Sequence, residues 1–214
     1  MFKYIRNFTL ISLLVFFSIN SANALELKLP KLGKSSSNGM SLDDTKTQFT
    51  KIFFEFALEY MEAQYHLFNA LEMNDEAGKT RKSIDFVKNT KNKEGKRLTN
   101  AFNSVSDNST AIEGALTKEA ANSTEAKVHY AKALPHAITG LLGTIKLPPE
   151  AKNLLNTIKA DKLAALKLGD FVKVLPKIPK YVKSATTVGR LIVSGAKSRD
   201  VKGANDATKA LGDL

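Results

Sequence analysis

In the aromatic-rich stretch from Phe49 to Phe68, Glu55, Glu59, Glu62 and His66 follow one another at intervals of four, three and four residues. At 100° per residue this spacing puts three carboxylates and an imidazole on one stripe of a helix. Such oxygen and nitrogen donors suit iron, manganese or zinc. Carboxylate-bridged bundles, however, take a Glu-x-x-His pair from each of two helices. Here the step from Glu62 to His66 is four, and the chain has no Glu-x-x-His pair. Glu125, His129 and His136 could converge on the stripe, with Pro135 interrupting their register. The simpler expectation is a charged outer stripe facing water or the basic helices further on, and no cofactor is expected.

Two other groupings resemble catalytic boxes. Ser194-Gly195-Ala196-Lys197 fits Ser-x-x-Lys, and Ser106-Asp107-Asn108 fits Ser-Asp-Asn, as in penicillin-binding proteins and β-lactamases. Their order along the chain is reversed, the Lys-Thr-Gly box is missing, and no alternating stretch supplies the sheet of that fold. "GRLIVSGAKS" puts five residues between its glycines and alanine before its lysine, so it is no phosphate loop. The chain has no cysteine, which excludes thiolate metal sites and c-type haem attachment. No enzyme is expected.

The remaining chemistry is charge. Residues 143–202 hold 13 basic and 4 acidic groups, against 16 and 15 in residues 25–142. Within the basic third, "FVKVLPKIPKYVKS" (171–184) sets Phe171, Val174, Leu175, Ile178 and Val182 on one helical side. Lys173, Lys177 and Lys180 lie opposite and Lys183 flanks them. Pro176 and Pro179 forbid one regular helix, so two helical pieces joined by a bend are expected. The apolar side is read as core and the lysines as a solvated face. The functional reading of Lys173, Lys177, Lys180 and Lys183 is contact with an anionic envelope surface or an acidic protein.

The elements that carry these residues read as helices. "MFKYIRNFTLISLLVFFSINSANA" has a basic start, a short apolar run and Ala22-Asn23-Ala24, the layout of a cleaved secretory signal peptide over residues 1–24. Export to a bacterial periplasm or medium follows, and it argues against nucleic acid as the partner. Residues 25–40 read as a flexible leader rich in serine and glycine. Residues 41–214 read as an all-α domain, a single bundle of about five to seven helices, some proline-kinked.

Ser41 and Asp44 form a capping box. Phe49, Phe53, Phe56, Tyr60 and Leu67 make one face of the long helix that follows. Phe53, Phe56 and Tyr60 are also candidates for holding an apolar small molecule, because the helix carries more aromatic surface than a single face needs. Pro135 should kink or split the fourth helix. The expected role is binding or structural, at the cell envelope.

Overall fold

Ser41 starts the first helix as its spacing to Asp44 predicts: its hydroxyl accepts the Asp44 amide at 3.2 Å and donates to the Asp44 carboxylate at 2.7 Å. A computed structural model of the protein describes residues 40–90, 94–115, 123–160 and 163–212. The expected signal peptide and most of the expected leader lie outside these residues. Helix α1 (Leu42–Ala70) is followed by α2 (Asn74–Asn89), α3 (Glu94–Ala115), α4 (Thr124–Thr144) and α5 (Leu147–Ala160). Two short helices, α6 (Ala164–Leu168) and α7 (Asp170–Val174), lead through a 3-10 turn (Leu175–Lys177) to α8 (Ile178–Ser198) and α9 (Ala204–Gly212). No strand occurs among the described residues, and the chain is an all-α bundle. The described helices belong to one compact unit, Ser37–Leu214.

The helix ends follow local chemistry. α1 stops where Glu72 adopts a left-handed φ of 58°, and the Met73 amide reaches back to the Phe68 carbonyl at 2.8 Å. That is a Schellman turn built without the usual glycine. Ser123 caps α4, accepting the Ala126 amide at 3.0 Å. Pro135 does not split α4, which runs unbroken through it. The carbonyl deprived of its donor is that of Ala131, four residues earlier and exposed, where water can replace the lost bond. Pro176 and Pro179 do divide the C-terminal segment, as expected: each sits in the first turn of a new element.

α1 is the hub, packed against α2, α3, α4 and α5, while α8 packs on α4, α3 and α5. Phe49, Phe53, Phe56, Tyr60, Leu67 and Phe68 are all buried. The ring of Phe53 lies 5.8 Å from those of Phe49 and Tyr181, and Phe102 lies 5.3 Å from Tyr181. Aromatic pairs at such distances add about 0.5–1.5 kcal/mol each beyond their buried area. The Tyr60 hydroxyl donates to the Ala185 carbonyl, tying α1 to α8.

α4 meets α1 through glycines. A side-chain carbon at Gly143 would fall inside the Phe56 ring, and one at Gly140 would meet Tyr60 at 2.9 Å. Gly143→Ala is therefore expected to destabilise the fold. Overpacking costs roughly 1–3 kcal/mol and outweighs the ~1 kcal/mol gained in helix propensity. Gly78→Ala on α2, where nothing lies within 4 Å of the added carbon, should instead gain about 0.4–1 kcal/mol. Denaturant midpoints at unchanged m-value measure both, and a raised midpoint for Gly143→Ala would deny the ring-over-glycine contact.

Candidate functional site

The chain has three histidines, and the fold gathers all of them where α1 meets α4. The His66 ring lies 6.0 Å from that of His129 and 6.0 Å from that of His136. His129 and His136 are seven residues apart, two turns of one helix, so they share a face because α4 is continuous through Pro135. The register was expected to be interrupted; it is kept.

The acidic stripe is divided among different partners. His136 Nδ1 bonds the Glu59 carboxylate at 2.7 Å. Glu62 accepts from Lys88 at 2.9 Å and from Arg81 at 3.3 Å, both on α2. Arg81 also stacks on Tyr65, 4.1 Å from its ring centre. Glu55 is exposed. The set Glu55, Glu59, Glu62 and His66 is thus not drawn together, and among the described residues no three acidic or imidazole groups are placed to hold one metal ion. Nor does the stripe face the basic C-terminal helices: its partners come from α2 and α4.

Burial, helped by the charges of His136, His129 and Lys132, lowers the His66 pKa to about 4. Its Nδ1 and that of His129 are shut off from solvent with no hydrogen-bond partner among the described residues. His136 moves the other way, raised chiefly by its bond to Glu59 against the effect of burial. For Glu62, burial alone would raise the pKa, but the Lys88 bond and the Arg81 charge together hold it below its ordinary value.

Linkage fixes the signs. The contribution from His66 is complete above its unfolded pKa of about 6.5 and is lost as pH falls toward 4. The contribution from His136 is complete below about 6.5 and is lost as pH rises through its raised pKa. Urea midpoints taken from about pH 8 to about pH 4.5 should therefore fall on the acid side. His66→Gln should flatten that fall, and Glu59→Gln should cost more stability at the acid end of the range than at the alkaline end. An acid limb unchanged in His66→Gln would remove the histidine from this role.

Other sequence candidates have structural duties. Phe53, Phe56 and Tyr60 are buried in the core, and the two hollows described below are lined by other residues. Asn108 of the Ser-Asp-Asn triplet donates to Gln64 at 3.1 Å, while Ser194 and Lys197 are exposed on α8. Gln64 escaped the sequence reading. It is fully buried and also donates to the Val105 carbonyl and the Ser109 hydroxyl, both at 3.1 Å, so its amide is satisfied inside the core.

The basic third presents a different surface. Lys173, Lys177, Lys180 and Lys183 are exposed, and so are Lys152, Lys159 and Lys167 on the neighbouring elements. Of the three carboxylates described in residues 143–202, Asp200 lies beyond the end of α8, and Glu150 is buried and takes a bond from Gln48 at 3.0 Å. Asp170 sits 3.5 Å from Lys173. Between α5 and the start of α8 lies a groove of about 280 Å³, apolar inside, with Lys152 and Lys159 among its lining residues. A second hollow of about 240 Å³, polar and lined by Glu72, Glu125 and His129 among others, lies between the end of α1 and the start of α4.

None of the described helices is both long and apolar enough to cross a membrane. No protein-family model, curated protein or solved structure matches the chain.

Proposed function

We propose that this is an exported, non-enzymatic bundle that binds an anionic lipid surface of the bacterial envelope through the lysine-rich face of α5–α8. The observation that carries the reading is where the negative charge goes. Glu59 and Glu62 find their partners on α4 and α2, and Glu150 is buried against α1. The exposed lysines from 152 to 183 are thereby left with little internal counter-charge. A cluster of this kind attracts anionic headgroups, each lysine near the surface contributing about 1 kcal/mol. Export is supported by the basic, apolar and small-residue layout of residues 1–24, and it places lipid ahead of nucleic acid as the partner.

A carrier of a buried apolar molecule is less well supported, because Phe53, Phe56 and Tyr60 are packed against other core side chains. A metal-binding role has less support still, since Glu59 and Glu62 already have partners.

Sedimentation with phosphatidylglycerol vesicles tests the proposal. Binding should be strong at low salt, absent with phosphatidylcholine, and weakened by screening. Changing Lys177 and Lys180 together to Ala should weaken it roughly 30-fold, at about 1 kcal/mol per lysine, while moving the denaturant midpoint little. Ile178→Ala should instead lower the denaturant midpoint, costing about 2–5 kcal/mol of stability because the side chain is fully buried. Equal binding to neutral and anionic vesicles would defeat the proposal, as would no binding to either.

A further inference from the structure

The groove between α5 and the proline turn has a chemistry that the lysines alone do not explain. Its walls are Ala151 and Leu155 of α5 on one side and Leu175, Pro176, Ile178 and Pro179 on the other. The start of a helix is ordinarily wet, because its first amides lack partners and draw water or anions. Here one of those amides does not exist, since Pro179 carries no N–H, and Pro176 removes another from the turn just before it. A third is already used: the Ile178 amide bonds the Leu175 carbonyl. The N-cap residue of α8, Lys177, makes no side-chain cap hydrogen bond either. What remains is an apolar slot at a position where helices usually offer a polar one.

Cations stand along this slot. Lys152 and Lys159 line it, seven residues apart and so on one face of α5, about 10 Å apart along the helix axis. Lys177 and Lys180, both exposed, belong to the turn and helix that form the opposite wall. Lysine stems can lie along apolar surface while their ammonium groups stay in the headgroup layer. At about 280 Å³ the groove falls short of the ~300–1,000 Å³ that encloses a whole small ligand. It can take part of a molecule whose remainder stays outside. Leu163 and Leu166, just beyond α5, are 64 % and 82 % exposed and extend the apolar surface at the end of that helix.

Resting on the surface-binding reading above, we infer that the groove is an acyl-chain subsite: one chain of an anionic phospholipid enters between α5 and the proline turn while its phosphate rests on Lys152 and Lys159. The lipid stays in its membrane. The lysines bring the face to the surface, and the groove supplies the part of the contact that salt does not screen.

The test uses the full chain and phosphatidylglycerol vesicles. After binding at low salt, the salt is raised to about 1 M, where the screening length falls to ~3 Å. A salt-resistant bound fraction should remain, and Leu155→Gln should reduce it at least fivefold. The chain has no tryptophan, so Asn156→Trp puts a single emitter at the groove. Phosphatidylglycerol brominated on its acyl chains should quench that emission, which decides the matter even if Leu155→Gln folds poorly. Complete release at high salt together with an unquenched tryptophan would overturn the subsite while leaving surface binding intact. Absence of binding at low salt would overturn both.

Discussion

Phe56 and Tyr60 of α1 occupy the space that side chains at positions 143 and 140 of α4 would fill, and both positions are glycine. This close approach sets the distance between the two central helices, and other features of the bundle depend on it. It brings His66 beside His129 and His136. The same device recurs on α8, where side-chain carbons at Gly189 and Gly195 would run into Leu141 and Tyr130 of α4. With the backbones this close, the Tyr60 hydroxyl reaches the Ala185 carbonyl from within the core, and its burial raises its pKa well above the ordinary value. The apolar side of α8 is consumed in this packing. Its lysines have nowhere to go but outward.

Charge is sorted by the same geometry. The acidic stripe of α1 lies toward α2 and α4, where Arg81, Lys88 and His136 answer it. Exposed ion pairs add little stability singly, ~0–1 kcal/mol, but here they determine which charges remain unanswered. Glu59, Glu62 and Glu94 are matched locally, and the lysines of the basic third stay on the surface. Segregation of this kind is a property of the tertiary arrangement rather than of any one helix, and it gives the proposed anionic partner its place.

Much of this was legible in the residues. The capping box at Ser41, the aromatic arc of α1 and the break at Pro176 and Pro179 are local signals, and local structure follows them. Ile178 is buried while Lys173, Lys177 and Lys180 are exposed, as the 3.6-residue period requires. Pro135 misled, because a proline halts a helix only when the carbonyl it orphans has no other donor, and that of Ala131 belongs to an exposed residue. The histidine cluster could be glimpsed from the spacing of His129 and His136, but its closeness to His66 depends on two glycines meeting two rings. Gln64 lies inside an apolar arc, and only its neighbours Val105, Asn108 and Ser109 show why an amide is tolerated there. The groove was invisible for the same reason: its two walls lie about twenty residues apart in sequence, and neither is unusual alone.

The central claim is that the apolar side of the C-terminal segment belongs to the core even when its lysine side meets a membrane. Amide hydrogen exchange of the full chain, with and without phosphatidylglycerol vesicles at low salt, tests this directly, since exchange reports the stability of each segment separately. The account predicts that α1 and α4 exchange at the same rate in both states, while α5 and the turn into α8 slow on vesicles. Faster exchange in α1 and α4 on vesicles would mean that α8 leaves the core to lie on the lipid, and would contradict it.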